Sequence, residues 1–208
     1  PLSRGIMAKA LLDLDALQDL LNRVRGVRLA CVGDLMLDRY VYGEVSRISP
    51  EAPIPVLKTR RTLAMPGGVG NVARNVAALG GLARLGAVVG DDAAGAELTE
   101  VIAADGGIED ALVRPATAKT IVKTRFVASG QQLLRLDDED LTVGGYDNKA
   151  VFKGAGAILL SDYAKGVVDA DLIKAALWAG AEFGVPVIVD PKGRDFARYG
   201  AVDLIKPN

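Results

Sequence analysis

Val27-Arg28-Leu29-Ala30-Cys31-Val32-Gly33-Asp34 is a short apolar run that stops at a glycine and an acid. A run of this length, bounded by turn residues, is typical of a strand buried in a parallel sheet. Apolar residues at helical spacing precede it as far as Val24, and Gly26 ends that pattern. We therefore expect an N-terminal helix within residues 1–26, followed by an α/β domain over 27–208.

The same pattern returns further along the chain. Apolar runs end in polar residues at Ala87–Val89 before Gly90-Asp91-Asp92, Ala157–Leu160 before Ser161-Asp162, Val185–Val189 before Asp190-Pro191, and Val202–Ile205 before Lys206-Pro207-Asn208. Helical stretches lie between them, at about 70–79, 93–105 and 169–183. This alternation predicts a doubly wound, mostly parallel sheet flanked by helices. Ligands of such sheets bind at the carboxyl ends of the strands, where these polar residues lie.

Two regions depart from this pattern. Residues 39–64 and 119–136 alternate polar and apolar side chains, as half-exposed antiparallel strands do. We expect them to form a small antiparallel β lid over the ligand edge of the main domain. Because a small sheet has open edges and one apolar face, we also expect it to pair with a second copy and give a homodimer.

The composition excludes several classes of function. Lys and Arg total 25 against 26 Asp and Glu, so no overall field favours nucleic acid or a membrane surface as a partner. The sequence has no histidine, which excludes histidine bases, triads and metal ligands. The single cysteine, Cys31, excludes an intrachain disulfide and a cysteine zinc site, and its apolar neighbours indicate a small buried side chain. No apolar run reaches the roughly 18 residues of a membrane span, and no signal peptide is recognisable, so we expect a cytoplasmic protein.

The segment from Pro66 to Asn75 contains the densest group of glycines, and Gly67, Gly68 and Asn71 are candidate ligand contacts. It also contains Gly68-x-Gly70-x-x-Ala73, with Asp91-Asp92 about 20 residues later, which matches a dinucleotide fingerprint. A nicotinamide-dependent oxidoreductase is therefore an alternative. The residues before the glycines, 58–62, are basic and polar and do not form the buried strand that this fingerprint requires.

Acids and lysines follow several strand ends. Asp34 and Asp38 can accept hydrogen bonds from substrate hydroxyls, although a turn cap and an ion pair with Arg39 would also explain them. Two further pairs place an acid and a lysine past a buried strand, as phosphoryl transfer requires, although surface ion pairs are the alternative. These pairs are Asp162 with Lys165 and Asp190 with Lys192, and the lid adds Lys123 and Arg125 as candidates to hold a substrate phosphate.

Together these motifs resemble the ribokinase-like, phosphofructokinase-B family of sugar kinases. The resembling residues are Gly33-x-x-x-x-Asp38, the Gly67-Gly68…Asn71 loop, Val89-Gly90-Asp91-Asp92-x-x-Gly95 and Lys206-Pro207-Asn208. Within that family the kinases of heptose 7-phosphate are more similar still, at 47–53, 131–137 and 161–166. The resemblance implies ATP- and Mg²⁺-dependent phosphorylation of a sugar phosphate, here at the anomeric hydroxyl of D-glycero-D-manno-heptose 7-phosphate for lipopolysaccharide synthesis.

The resemblance also implies roles for single residues. Asp38 matches the acid that binds sugar hydroxyls, while Gly67, Gly68 and Asn71 match the loop along the sugar, although this loop is one residue shorter than usual. Asn208 matches the first residue of an Asn-x-x-Glu element beside the nucleotide and magnesium. The family's catalytic base would follow Asn208, so we expect a kinase domain that is incomplete on its C-terminal side. Another ribokinase-like sugar kinase and a non-catalytic binding module are the remaining alternatives.

Overall fold

The structure is a computed structural model that describes residues 13–139 and 145–207. Helices and strands alternate along most of the chain, as the apolar runs predict. In chain order they are α1 (Leu14–Val24), β1 (Arg28–Gly33), β2 (Leu35–Ile48), β3 (Pro55–Gly68), α2 (Val69–Ala78), β4 (Leu82–Gly86), α3 (Ala93–Ala104), β5 (Ile108–Asp110), β6 (Val122–Ala128), β7 (Gln131–Asp138), β8 (Ala157–Ser161), α4 (Ala170–Phe183), β9 (Val187–Asp190) and β10 (Leu204–Ile205).

Six of these strands form the central sheet in the order β10-β9-β8-β1-β4-β5. Every pairing between neighbours in it is parallel. The first apolar run, β1, lies inside the sheet between β4 and β8, as its continuous hydrophobicity indicates. The predicted doubly wound α/β sheet is thereby confirmed.

The two faces of the central sheet bury two separate cores, because successive side chains of a strand point to opposite faces. Ala30 and Val32 of β1 face the core beneath α4. Cys31, between them, faces the core beneath α2 and α3. Burial raises the pKa of the Cys31 thiol to about 12, so this cysteine is an inert packing residue, as the sequence indicates.

The remaining four strands form a second sheet, β3-β2-β6-β7, which we call the lid. The hairpins β2–β3 and β6–β7 are antiparallel, as predicted, whereas the central pair β2–β6 is parallel and joins the hairpins into a mixed sheet. At the root of the lid, Leu37 and Val122 pack into the core beneath α2 and α3. The lid therefore grows directly out of the main domain.

The strand expected at residues 87–89 lies a few residues earlier, as β4. The apolar run 87–89 does not form a strand: β4 ends at Gly86, and the run contributes only an isolated bridge between Val88 and Val113. The physical reason is that Arg84 lies inside β4, pairs with Glu109 of β5 and donates to the carbonyls of a 3₁₀ turn. An arginine whose guanidinium is partnered does not interrupt the strand, although a hydrophobicity pattern treats it as a break.

The N-terminal helix is present as α1, and the first part of its predicted pattern, with Leu11, lies outside the described residues. Asp13 caps it, because its Oδ1 accepts hydrogen bonds from the backbone N–H groups of Asp15 and Ala16. No residue of α1 is buried. Among the described residues, no helix has the length and apolar character needed to cross a membrane.

Asp34, which was expected among the substrate contacts, belongs to the framework in this structure. It is 0% exposed, and its carboxylate accepts hydrogen bonds from the backbone N–H groups of Tyr163, Lys165 and Val167 at 2.6, 3.1 and 3.1 Å. Burial raises the pKa of Asp34, although these three bonds act to lower it. The acid fixes the loop that follows β8.

We expect Asp34→Ala to lower the free energy of unfolding by about 2–5 kcal/mol, because it leaves three buried N–H groups without an acceptor. Urea denaturation monitored by circular dichroism measures this. The matched control is Asp91→Ala, which removes an exposed acid and should leave stability within about 0.5 kcal/mol of the parent. Equal losses in the two variants would contradict the framework role of Asp34.

Candidate active site

A cavity of about 640 Å³ lies where the lid meets the carboxyl ends of β8 and β9. Its wall combines residues of the lid, of the glycine-rich segment and of the two loops after these strands. The lining residues are Met36, Asp38, Tyr40, Met65, Pro66, Gly67, Gly68, Asn71, Lys123, Arg125, Arg135, Asp137, Glu139, Tyr163, Lys165 and Lys192. The location agrees with the expectation that ligands bind at the carboxyl edge of the sheet.

Strand register explains why the lid contributes so many charges to this cavity. Asp38 of β2 lies directly opposite Lys123 of β6, which lies opposite Asp137 of β7. Directly opposed residues project from the same face of a sheet. Two positions further from the root, Tyr40 lies opposite Arg125, which in turn lies opposite Arg135. Two cross-strand rows of polar side chains therefore face the cavity.

Asp38 occupies the position in which a sugar-binding acid is expected. Its Oδ1 accepts a hydrogen bond from Nη1 of Arg125, and the two side chains are 19% and 18% exposed. The backbone of Gly67 passes close by, because a Cβ at that position would lie only 2.3 Å from Oδ2 of Asp38. A side chain at this position would displace the Asp38 carboxylate, so glycine allows β3 and the acid to lie this close.

A second group of charges lies at the end of β7. Lys123 Nζ donates to Asp137 Oδ2 at 3.0 Å and to Glu139 Oε2 at 3.1 Å. The other oxygen of Glu139, Oε1, accepts from Lys165 Nζ at 2.8 Å. The hydrogen bond from Lys165, with a smaller contribution from Lys123, holds the pKa of Glu139 below its ordinary value despite some burial. Arg135 adds a bidentate pair with Asp137.

The loop after β8 presents Tyr163 and Lys165 to the cavity. Its backbone N–H groups are turned towards the buried carboxylate of Asp34, and Ala164 between them has a φ of 56°. This conformation is uncommon for a residue with a Cβ and is maintained here by the surrounding hydrogen bonds. The inward turn of the backbone leaves the side chains of Tyr163 and Lys165 on the cavity wall.

Asp162, another expected substrate contact, also has a structural role, because it is buried and bonded to protein groups. It is 4% exposed, and its Oδ2 accepts from the Tyr199 hydroxyl at 2.7 Å and pairs with Arg198 at 3.3 Å. Its Oδ1 accepts from the backbone N–H of Ala164 at 2.7 Å. Burial, together with Asp162, raises the pKa of Tyr199 to about 12. Both oxygens of Asp162 are thus committed to protein partners.

The carboxyl end of β9 contributes the residues that were expected to bind nucleotide. Lys192 lines the cavity, whereas Asp190 is half-buried and its Oδ1 has no hydrogen-bond partner among the described residues. An unpartnered carboxylate oxygen fits a cationic ligand such as magnesium with its nucleotide. Within 13–139 and 145–207, however, no three acidic or cysteine side chains cluster as a metal site would require. Asn208 lies outside the described residues.

The structure therefore brings together eight of the twelve residues singled out from the sequence, all of them on the cavity wall: Asp38, Gly67, Gly68, Asn71, Lys123, Arg125, Lys165 and Lys192. Sequence reasoning missed Tyr40, Arg135, Asp137, Glu139 and Tyr163. The sequence carries a signal for two of these residues. Arg135 and Asp137 are two positions apart in β7, which puts both side chains on one face of the lid.

The dinucleotide fingerprint has a different structural context here. Gly68 ends β3, which belongs to the lid and pairs antiparallel with β2. A dinucleotide-binding glycine segment instead follows a buried parallel strand at the switch point of the sheet. Gly67 allows β3 to approach Asp38, and Gly68 allows it to approach the backbone of Asp34, so the nicotinamide alternative loses its main support.

Comparison with known proteins agrees with this geometry. Two curated relatives named bifunctional protein HldE, from Hyphomonas neptunium and Caulobacter vibrioides, are both 48% identical to this chain, over 202 and 199 residues. The aligned regions cover 92% and 93% of this chain but 41% of each relative. The chain thus spans about two-fifths of the length of these relatives.

Solved structures of low sequence identity share the fold. A putative ribokinase from Agrobacterium tumefaciens superposes with a TM-score of 0.64 at 20% identity, covering 88% of this chain and 59% of that one. Phosphofructokinase-2 from Escherichia coli, in complex with substrates and products, gives a TM-score of 0.62 at 23% identity, covering 88% and 60%. The ribokinase-like architecture is thereby established.

The model of the pfkB family carbohydrate kinases matches residues 27–208, which is the whole α/β domain expected from the sequence. The match begins at the first apolar strand and includes the lid, the glycine-rich segment and the loops after β8 and β9. The chain belongs to the pfkB family of carbohydrate kinases.

Proposed function

We propose that this protein takes part in ATP-dependent phosphorylation of a sugar phosphate, at the anomeric hydroxyl of D-glycero-D-manno-heptose 7-phosphate. The most direct support is the cavity wall, which combines five cationic side chains with Asp38, the proposed sugar-binding acid. A neutral sugar does not need this many cations, whereas a phosphate ester does. The similarity of residues 47–53, 131–137 and 161–166 to heptose 7-phosphate kinases supplies the choice of sugar.

Asp38 binds the hydroxyl groups of the sugar in this proposal. A carboxylate accepts hydrogen bonds on both oxygens, and one oxygen of Asp38 is already oriented by Arg125. Gly67 and Gly68 allow the backbone to lie along the sugar, and Asn71 adds an amide at the start of α2. These groups bind and orient the substrate, and orientation accounts for much of the rate in phosphoryl transfer.

Carbohydrate kinases of this family use ATP, and we propose magnesium as the metal that accompanies it. When bound, the metal neutralises charge on the phosphates and on the transferring group. Lys192 faces the cavity beside Asp190, where its ammonium group would bind nucleotide phosphates as a point charge. Asp190 would face the metal through its unpartnered oxygen.

We also propose that the protein is a homodimer formed through the lid. The face of the lid opposite the cavity carries Leu134 and Leu136, which are 59% and 55% exposed. Leu134 lies opposite Phe126, so the outer part of this face is apolar. Exposed apolar area of this kind marks an interaction surface, and a second lid offers a matching one.

We expect Asp38→Asn to weaken heptose 7-phosphate binding about tenfold to a hundredfold, because one charge-assisted hydrogen-bond acceptor is lost. Isothermal titration calorimetry measures the affinity, and the melting temperature should remain nearly unchanged. The matched control is Glu44→Gln, which neutralises an acid on the same strand that pairs with Arg60 outside the cavity.

Three outcomes would contradict parts of this proposal. Equal affinity in Asp38→Asn and the parent would remove Asp38 from the site. Tighter binding of another sugar phosphate, such as fructose 6-phosphate, would replace the heptose and keep the enzyme class. Binding of NADH, measured by fluorescence, in place of ATP and any sugar phosphate would favour the oxidoreductase instead.

We expect Leu134→Glu and Leu136→Glu to shift the protein from dimer to monomer in size-exclusion chromatography with light scattering. A charge on this face opposes burial against a second lid, and the monomer tolerates it because both positions are exposed. Val122, on the same face but only 7% exposed, is unsuitable because it packs in the core. The control is Gln132→Glu, which adds the same charge on β7 opposite Val127. A monomeric parent would contradict the dimer.

A further inference from the structure

Glu139 joins the lid to the loop after β8, because each oxygen of its carboxylate accepts a hydrogen bond from one of them. Oε2 accepts from Lys123 on β6 of the lid, and Oε1 accepts from Lys165 on the main domain. Lys123 lies in a strand of the lid and Lys165 in the loop after β8, and the two are 42 residues apart in sequence. One carboxylate therefore holds two cations from different parts of the fold at one point of the cavity wall.

These three side chains are sheltered from solvent, which strengthens their interaction. Lys123, Lys165 and Glu139 retain only 13%, 18% and 26% of their side-chain exposure. A glutamate carboxylate is ionised at neutral pH, and the hydrogen bond from Lys165 lowers the pKa of Glu139 further. A pair of this kind is screened less by salt than an ion pair on the open surface. Removing its charge should therefore have a measurable effect on whatever else binds the lysines.

The arrangement has the chemistry of a phosphate site that a carboxylate occupies. Two ammonium groups meet two oxygens of one anion at 2.8 and 3.1 Å, and both lysines line the cavity. A phosphate monoester offers three oxygens and close to two negative charges at neutral pH. It can therefore replace a singly charged carboxylate between the same two donors, which a neutral sugar cannot do.

We propose that Lys123 and Lys165 hold the phosphate of the substrate and that Glu139 occupies this position until the phosphate displaces it. Glu139 is then a specificity-determining residue: it holds the two lysines together and makes their release depend on a more highly charged anion. The inference rests on the proposed function in so far as the ligand is a sugar phosphate. Exchange of one anion for another involves no covalent step.

Glu139→Gln tests this, with inorganic phosphate as the ligand in calorimetry. The variant removes the competing charge, so phosphate should bind about three- to tenfold more tightly than in the parent. A merely structural role of Glu139 would weaken binding or leave it unchanged, and either result overturns the proposal. Lys165→Met should weaken phosphate binding at least tenfold, and in the Glu139→Gln/Lys165→Met double variant the gain should disappear.

A matched control is available on the other side of the lid. Arg39 of β2 pairs with Glu97 of α3, which is also an ion pair between the lid and the main domain, but it lies outside the cavity lining. Glu97→Gln should leave phosphate binding unchanged. A gain equal to that of Glu139→Gln would show that loosening the lid, and not vacating the lysines, strengthens binding, and would overturn the proposal. If Glu139→Gln fails to fold, Glu139→Ala, which also removes the competing charge, should show the same gain.

The test separates this inference from the proposed function. Inorganic phosphate contains no sugar, so tighter phosphate binding in Glu139→Gln supports the role of Glu139 whichever sugar is phosphorylated. Loss of heptose 7-phosphate binding alongside normal phosphate binding would refute the choice of sugar alone. Unchanged phosphate binding in Glu139→Gln, together with tight heptose 7-phosphate binding, would refute the role of Glu139 alone.

Discussion

The site depends on the hydrogen bonds of one buried residue, Asp34. Its backbone N–H donates to the Ser161 carbonyl at 3.1 Å, and its own carbonyl accepts from Val69 at the start of α2 at 2.9 Å. Its carboxylate accepts the three N–H groups of the loop after β8. Since β2 begins at the next residue, the side chain of Asp34 and the two peptide groups that flank it hold the root of the lid, the glycine-rich segment and that loop together. These hydrogen bonds therefore set the positions of the three cavity walls relative to one another.

The cavity must also hold several like charges close together. Five cations on one wall repel one another, and the three carboxylates Asp38, Asp137 and Glu139 lie among them, so the wall carries two net positive charges. This compensation stabilises the arrangement before any anion arrives, and hydrogen bonds to the carboxylates orient Lys123, Arg125, Arg135 and Lys165. The cost is affinity, because an incoming phosphate competes with carboxylates for its donors. The benefit is that little reorganisation is needed when it binds.

The sequence was sufficient for the α/β architecture and for the edge of the sheet at which the site lies, because hydrophobic period and turn residues are local signals. It misplaced β4, whose partnered Arg84 interrupts the apolar run. It could not separate Asp34 from Asp38. Both are acids that follow the same strand. Asp34 is buried and Asp38 lines the cavity, because the loop that buries Asp34 comes from 129 or more residues further along the chain. The lid hairpins were predictable from alternation, whereas the parallel β2–β6 pairing joins strands that are distant in sequence. The contribution of Glu139 likewise depends on that pairing, since it places β7 beside the loop that carries Lys165.

The attachment of the lid to the main domain differs between its root and its outer part. At the root, Leu37 and Val122 are buried in the core, where separation would expose apolar surface. Further out, among residues 13–139 and 145–207, two ion pairs connect the lid to the main domain: Arg39 with Glu97 behind the lid and Glu139 with Lys165 in the cavity. Apolar burial is lost whenever the surfaces part, whereas a charged group that loses its partner regains water. The outer lid is therefore held by charged contacts, whereas its root is held by apolar burial. A ligand that replaces one of the two ion pairs then alters how the lid is held over the cavity.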